Sequence, residues 1–199
     1  MAMPASPPLL PDRSRRDWTV DEVRALPDDG NRYEVIDGEL FVTPAPSWLH
    51  QQAAMEFLFL VRPYAHRCAL DCYIAPAEVA FSPRRSVEPD LFVVPRMDGR
   101  RATHFEEVQR LVLAVEVISP STARADRYRK RYLYQSEGVA EYWIVDPDAR
   151  FVERWRPGDD APEILVESLA WAPREEVEPL VIDLAAYFRR VHGEDGGAG

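Results

Sequence analysis

A strand-helix-strand run in the second half of the chain constrains the fold most strongly. Residues 113–119 (LAVEVIS) and 140–146 (AEYWIVD) are apolar and typical of buried strands. Between them, residues 122–138 (TARADRYRKRYLYQSEG) predict a helix that ends at Gly138. Two strands joined by a helix are parallel, with a right-handed crossover. This run predicts an α/β arrangement with at least one parallel strand pair.

The first half of the chain predicts shorter, antiparallel elements. Thr19 and Glu22 form a capping box that opens a short helix, and Asp37-Gly38 lies between alternating strands as in an N-terminal β-hairpin. Residues 47–67 predict a long helix capped by Ser47. Antiparallel hairpins combined with the parallel unit predict a mixed β-sheet flanked by helices, an α/β (α+β mixed) fold.

The length and composition predict one domain with a tail at each end. With 199 residues, 46% of them hydrophobic, the chain can bury one sizeable core. Residues 1–16 are rich in Pro, Ser and Arg, and residues 193–199 in Gly and acid, so both segments are predicted to be disordered. The domain is therefore predicted to span residues 17–192.

Charge and targeting signals exclude several classes of protein. The formal net charge of -10 argues against a protein that coats nucleic acid through bulk positive charge, although a local basic patch is compatible with it. No apolar run approaches the ~20 residues of a membrane span, and no secretion signal is present, which predicts a cytoplasmic protein without a membrane partner. Cys68 and Cys72 lack the partners that a zinc site or a disulfide framework needs.

Two predicted core strands carry a carboxylate where packing would favour an apolar side chain. Asp90 lies in VEPDLFVVP (residues 87–95), and Glu116 lies in the strand at residues 113–119. Each acid alone is also explained by contact with solvent or by pairing with an arginine. Two such acids on neighbouring strands, followed by a helix that carries Lys130, favour a shared site. Carboxylate oxygens at a common point suit magnesium, which binds one or two protein carboxylates and retains water.

These residues lie in stretches that resemble a known family. The chain resembles the PD-(D/E)XK nuclease superfamily and, within it, the Uma2-type family of putative restriction endonucleases, over residues 18–187. The matching stretches are RYEVIDGEL, His50 at the start of the long helix, EPDLFVV, AVEVISPST and DRYRKRYLYQSEGVAEYWIVDP. The resemblance implies a restriction-endonuclease-like core and hydrolysis of phosphodiester bonds.

The resemblance also implies a set of site residues. Asp90 and Glu116 match the catalytic, metal-binding acids, and the backbone carbonyl of Val117 matches a third ligand for Mg²⁺ or Mn²⁺. Glu34 matches a further catalytic position, and its alternative is an exposed hairpin carboxylate.

The position of the catalytic lysine departs from the superfamily pattern. Ile118 stands where the superfamily has its lysine, and Lys130 in the following helix is the family's matching position. A strand rises about 3.3 Å per residue and a helix about 1.5 Å per residue. Glu116 on the strand and Lys130 on the helix are therefore predicted to lie at nearly the same distance from the turn at residues 119–121, which joins the two elements. The alternative is a surface lysine that neutralises Asp126.

The same helix is predicted to contact nucleic acid. Its residues 124–131 carry five basic side chains and a single acid in an otherwise acidic chain. The predicted nucleic-acid-binding residues are Arg124, Arg127 and Arg131. The alternative is a solvated helix face with an Asp126–Lys130 pair.

The sequence therefore predicts a metal-dependent endonuclease that acts on nucleic acid, with DNA the expected substrate. Cutting both strands needs two sites, which favours a homodimer. Two alternatives remain: a non-catalytic protein that keeps the nuclease fold, and a regulatory protein that binds other proteins through its acidic surface.

Overall fold

The protein is described by a computed structural model that covers residues 11–108, 110–120 and 122–194. The helices are α1 Val20–Arg24, α2 Trp48–Arg67, α3 Phe105–Val108, α4 Arg131–Ser136 and α5 Leu184–Val191, and a π-helical segment, Ala125–Lys130, directly precedes α4. The strands are β1 Arg32–Ile36, β2 Glu39–Thr43, β3 Leu70–Ile74, β4 Val79–Ser82, β5 Arg85–Val87, β6 Leu91–Pro95, β7 Leu113–Val117, β8 Glu141–Asp146, β9 Phe151–Trp155, β10 Glu163–Leu165, β11 Ser168–Trp171 and β12 Leu180–Asp183.

The chain divides into two compact units, Met1–Ala45 with Ala80–Val87, and Pro46–Val79 with Glu88–Gly199. The sequence predicted one domain over residues 17–192, and that boundary stays a prediction. The predicted tails lie mostly outside the described residues. In their described parts, the carbonyl of Asp12 accepts a hydrogen bond from Trp18 Nε1 at 2.9 Å, and Glu194 pairs with Arg150.

The first unit is built on an antiparallel sheet in the order β2-β1-β5-β4. Its β1-β2 hairpin turns at Asp37 and Gly38, whose φ angles of 52° and 82° are those of a type I′ turn. The capping box at the start of α1 is also present: Glu22 N donates to Thr19 Oγ1 at 3.3 Å, and Thr19 N donates to Glu22 Oε2 at 2.9 Å. The hairpin and the short helix predicted from the sequence are therefore confirmed.

The second unit contains a mixed sheet in the order β10-β9-β8-β7-β6-β3, together with a β11-β12 hairpin. Strands β7 and β8 are parallel, with Leu113 opposite Glu141, while the other neighbouring strands of the sheet are antiparallel. All five residues of β7 are buried, as expected for a central strand covered on both faces. The predicted parallel unit and mixed sheet are confirmed.

Successive side chains of β7 point to opposite faces of the sheet. Leu113, Val115 and Val117 belong to the hydrophobic core that α2 and α5 complete. In α2 the buried side chains include Ala53, Phe57 and Val61, and in α5 they are Leu184, Tyr187, Phe188 and Val191. Glu116 lies between Val115 and Val117 and therefore points to the other face of the sheet.

The connection between β7 and β8 is helical, as predicted, but part of it is not an α-helix. Residues 125–130 have π-helical geometry, which is uncommon and often found at functional sites. Helix α4 follows without a break and ends near Gly138, whose φ of 68° is the left-handed conformation expected after a helix. Among the described residues, no helix is both long enough and apolar enough to cross a membrane.

A buried acid in the second unit predicts how stability depends on pH. Asp71 is 1% exposed and pairs with Arg96 through two hydrogen bonds of 3.1 Å, and Arg101 and His66 lie at 3.3 and 3.4 Å. Burial opposes ionisation, but hydrogen bonds and charge from Arg96, assisted by Arg101, outweigh it and hold the pKa of Asp71 below its ordinary value. The ion pairs therefore stabilise the fold above the unfolded-state pKa, and this contribution is lost as the pH falls through the lower folded-state pKa.

We expect Asp71→Asn to lower the free energy of unfolding by about 1.5–3 kcal/mol at pH 7, because charged hydrogen bonds are lost. Urea unfolding of both proteins from pH 7 to pH 3 should show this difference narrowing as the pH falls. A difference that stays constant over this range would contradict the assignment.

Candidate functional site

Pairing between β6 and β7 brings the two predicted acids to one place. Leu91 is opposite Val115 in this antiparallel pair, so the preceding residue, Asp90, lies beside Glu116. The backbone N–H of Val117 donates a 2.8 Å hydrogen bond to Asp90 Oδ2. Both acids are buried, with 4% and 3% of their surface exposed. The structure thus places Asp90, Glu116 and Val117, the predicted metal ligands, next to one another.

Glu116 is held by two side chains from the helical connection. Lys130 Nζ and the Tyr134 hydroxyl both lie 2.9 Å from Glu116 Oε1. Lys130 is itself buried, with 4% exposed, and its Nζ is also 3.6 Å from Asp126 Oδ1. The Asp126–Lys130 pair therefore exists, but it is buried in the site and is not the surface pair considered as the alternative.

Regular spacing along the helical connection explains this inward cluster. Asp126, Lys130 and Tyr134 are four residues apart, so the π-helical segment and the start of α4 present them on one face. All three are buried, with 2%, 4% and 0% exposed. The apolar neighbour Leu133 is buried as well, which fixes this face against the sheet.

His50 approaches Asp90 from the start of α2. The hydroxyl of Ser47 caps this helix by accepting a 3.2 Å hydrogen bond from His50 N. His50 Nε2 lies 3.0 Å from Asp90 Oδ2, and the side chain is 11% exposed. Within the described part of the chain, His50 Nδ1 is a buried nitrogen that has no hydrogen-bond partner. Leaving such a group without a hydrogen bond costs free energy.

Sequence reasoning assigned no site role to His50, Asp126 or Tyr134. The four histidines are scattered along the chain, and no motif links His50 to Asp90. Tyr134 and Asp126 could have been found from their four-residue spacing around Lys130. His50 had one signal, its place at the start of the long helix in a stretch that matches the family.

The site is rich in negative charge. Tyr142 is buried beneath it and its hydroxyl donates a 3.2 Å hydrogen bond to the carbonyl of Asp126. Burial, followed by the charges of Asp126, Glu116 and Asp90, raises the pKa of Tyr142 well above its ordinary value. These three neighbouring carboxylates are accompanied by the single ammonium of Lys130. Such an arrangement attracts cations.

The donor atoms at the site fit a hard divalent cation. Asp90, directly before β6, and Glu116 on β7 each have a carboxylate, and the predicted third ligand is the backbone carbonyl of Val117. Among the described residues, no group of three or more His, Cys, Asp or Glu side chains is arranged to hold a metal. A fully protein-ligated site of the zinc type uses four such ligands. The two carboxylates here are compatible with Mg²⁺, which uses one or two protein carboxylates and takes water or phosphate for its other positions.

The remaining predicted catalytic residue lies in the other unit. Glu34 is on β1 in the first unit and is 2% exposed, so it is not the exposed hairpin carboxylate considered as its alternative. Its part in catalysis stays a prediction.

The three predicted nucleic-acid-binding arginines differ in their surroundings. Arg124 is exposed. Arg127 instead donates to Glu153 Oε1 at 2.5 Å and to Asp146 Oδ2 at 3.4 Å. Arg131 lies over the ring of Trp155 at 4.8 Å. Through these contacts, Arg127 and Arg131 hold the helical connection against β8, which contains Asp146, and β9, which contains Glu153 and Trp155.

Comparison with known proteins agrees with this fold and identifies the family. The structure is similar to a crystal structure described as a putative nuclease belonging to DUF820 from Anabaena variabilis ATCC 29413, with a TM-score of 0.71 and 20% sequence identity. The similarity covers 87% of this chain and 99% of that protein, and at this identity it establishes the fold. No curated protein matches the chain. The sequence profile of the Uma2 family, described as "Putative restriction endonuclease", matches residues 20–185. The chain belongs to the Uma2 family of putative restriction endonucleases.

Proposed function

We propose that this protein is a metal-dependent endonuclease that hydrolyses phosphodiester bonds in DNA. One observation carries the proposal: two buried carboxylates, Asp90 directly before β6 and Glu116 on β7, share a site with the buried ammonium of Lys130, 2.9 Å from Glu116. Buried ionic groups are expensive to maintain, and replacing them with apolar residues is often neutral or stabilising. A purely structural role explains such a cluster poorly, whereas acid-and-lysine chemistry on a phosphate requires it.

The reaction joins a water oxygen to phosphorus and breaks one phosphorus–oxygen ester bond. The water gives up a proton, and the leaving oxygen gains one. Asp90, Glu116 and the carbonyl of Val117 would hold Mg²⁺ or Mn²⁺. Such an ion, when bound, polarises the scissile phosphate and lowers the pKa of its water.

Lys130 supplies positive charge to the reacting phosphate. Its ammonium carries three N–H donors, and one contact to Glu116 and one to Asp126 hold it in position. A donor fixed in a buried site stabilises charge that develops on phosphate oxygens without reorganising during the reaction. The Tyr134 hydroxyl holds the same oxygen of Glu116, so the acid and the lysine keep one orientation.

Metal binding should stabilise the protein measurably. The repulsion among Asp90, Glu116 and Asp126 is relieved when a cation binds, and a ligand that binds only the native state raises its stability. At a metal concentration about 100 times Kd, the free energy of unfolding should rise by about 2.7 kcal/mol. We expect millimolar Mg²⁺ or Mn²⁺ to raise Tm in a thermal scan, and Glu116→Gln to reduce this response while the fold is retained. A Tm that does not change over this range would contradict the metal site.

The activity itself is tested on supercoiled plasmid DNA. Nicking that requires Mg²⁺ or Mn²⁺ and stops when a chelator is added supports the proposal. Metal binding without nicking of plasmid, single-stranded DNA or RNA would favour the alternative, a non-catalytic protein with a nuclease fold.

A homodimer is part of the proposal because cutting both DNA strands at one position needs two sites. Sedimentation equilibrium at the concentration used for cleavage checks it. A strict monomer that still makes double-strand breaks in one binding event would remove this part of the proposal.

A further inference from the structure

The outward face of the helical connection carries exposed aromatic and basic side chains. Tyr128 and Tyr132 are 65% and 58% exposed. Arg124 and Arg129 are exposed on the same segment. We call these four residues the outer strip. Tyrosine rings usually bury much of their apolar surface, so two adjacent exposed rings flanked by arginines are unusual for a surface without a partner.

The outer strip is the reverse side of the element that builds the candidate active site. Asp126, Lys130 and Tyr134 face inward at four-residue spacing, whereas Arg124, Tyr128 and Tyr132 have the same spacing but precede them by two residues. A shift of two residues is about half a helical turn, which turns these side chains to solvent. The strip and Lys130 are thus separated only by the thickness of one helix, about 10 Å.

The chemistry of the strip fits a nucleic-acid strand. Arginines attract phosphates, and exposed aromatic rings stack on bases regardless of sequence. The chain is acidic, with a formal net charge of -10, so a local basic surface on the reverse side of the helix that carries Lys130 is where a polyanion can approach. Arg127 and Arg131 already bind Glu153 and Trp155 within the fold. Arg124 and Arg129 are exposed, so their side chains are accessible to a phosphate in solution.

The spacing of the two tyrosines favours an unpaired strand. Side chains four residues apart on a helix have Cβ atoms about 5–6 Å apart. Bases in a duplex are stacked about 3.4 Å apart along each strand, and both faces of each base are covered by neighbours. Two rings on the strip can each meet a base only if the bases are unstacked and drawn apart.

We propose that the outer strip binds an unpaired stretch of nucleic acid, with Tyr128 and Tyr132 stacking on neighbouring bases and Arg124 and Arg129 binding phosphates of the same strand. This inference rests on the proposed nuclease function and narrows its substrate to DNA that is single-stranded or locally opened. The strip and Lys130 lie on opposite sides of one helix, so a strand held on the strip must pass around this helix to reach the site.

The test measures binding without cleavage. Fluorescence anisotropy of a labelled single strand of about 15 nucleotides, long enough to fill one binding site, gives Kd for wild type and variants with chelator present. Removing one stacked ring costs about 5- to 150-fold in affinity, so Tyr128→Ala with Tyr132→Ala should weaken binding by at least about 25-fold. The double change to phenylalanine should stay within about 2-fold, because the stacking face is retained.

Salt dependence separates the rings from the arginines. Replacing Arg124 and Arg129 by glutamine should flatten the plot of log K against log salt by about 0.7 for each phosphate that is no longer neutralised. The alanine changes at Tyr128 and Tyr132 should leave that slope unchanged. Phe59→Ala is the matched control, because Phe59 is an aromatic residue of α2 that is 62% exposed and lies outside the strip, and its replacement should leave Kd unchanged. Circular dichroism and Tm confirm that every variant is folded.

Three results would overturn the inference: alanine variants that bind as tightly as wild type, a wild type that prefers duplex to single strand, or a strip whose replacement alters sedimentation and not binding. The last result would assign the strip to a second copy of the chain. Plasmid cleavage by wild type is scored separately. If the protein cleaves DNA but fails the binding test, only the proposed role of the strip is contradicted. If it binds single strands but never cleaves, the proposed endonuclease activity is contradicted.

Discussion

Replacing Asp90 by asparagine should slow DNA cleavage by at least about 10³-fold, because a metal ion's contribution of several kcal/mol to the transition state is lost with its carboxylate ligand. Asparagine keeps the volume of the side chain. It also keeps an oxygen that can accept the hydrogen bonds now made by Val117 N and His50 Nε2. The fold should therefore survive, and single-turnover cleavage of plasmid with saturating Mg²⁺ measures the chemical step.

Asp71→Asn is the matched control for this experiment. Asp71 is also a buried aspartate, but its partners are Arg96, Arg101 and His66. Its replacement should lower stability and leave the cleavage rate unchanged at temperatures where the variant is folded. An Asp90→Asn protein that cleaves within about tenfold of wild type would remove Asp90 from the proposed mechanism, because tenfold corresponds to only about 1.4 kcal/mol.

The second large effect concerns stability. We expect Lys130→Met to lower the free energy of unfolding by about 3–5 kcal/mol, because removing one partner of a buried ion pair leaves buried charge behind. Glu116 and Asp126 are then both without the ammonium, which lies 2.9 and 3.6 Å from them in the wild type. Urea unfolding at a pH of about 7.5, where both acids of an exposed reference peptide are ionised, measures the change in the presence of chelator.

Two further variants make this result specific. Adding Glu116→Gln and Asp126→Asn to Lys130→Met removes the two uncompensated charges and should restore most of the stability. Arg129→Met changes the adjacent, exposed position of the same helical segment and should alter stability by no more than about 0.5 kcal/mol. If Lys130→Met costs less than about 1 kcal/mol, the ammonium is not compensating buried charge, and the pairing around Glu116 is not as described.

Several local patterns in the sequence were sufficient to predict parts of the fold. The Asp37-Gly38 turn, the Thr19–Glu22 capping box and the β7-helix-β8 unit depend on residues close together in the chain, so short-range physics specifies them. The adjacency of Asp90 and Glu116 followed from their positions in two apolar segments predicted to be strands. The prediction that Lys130 lies level with Glu116 followed from the rise per residue of a strand and of a helix. Their catalytic roles stay predictions.

Other features could not be predicted because they depend on which surfaces meet. Nothing near His50 in the sequence indicates that its ring lies 3.0 Å from Asp90 Oδ2, since that contact requires the start of α2 to pack beside the β6-β7 pair. The π-helical turns were read as α-helix, because a stretch of suitable composition does not reveal a change in hydrogen-bond register. The roles of Arg127 and Arg131 within the fold likewise depend on Glu153 and Trp155, which a distant strand provides.

The sequence by itself determined the parallel unit around β7, the positions of Asp90 and Glu116 in two apolar segments, and the basic character of the helix that follows β7. Only the tertiary structure decided what the inward face of that helix contacts: Lys130 and Tyr134 both lie 2.9 Å from Glu116 Oε1, and Asp126 is buried beside Lys130. The physical reason is that periodicity defines the faces of a helix, whereas burial against a particular partner selects which face becomes the site. Here the buried carboxylate of Glu116 makes that selection, because it is stabilised by the ammonium and the hydroxyl on one face alone.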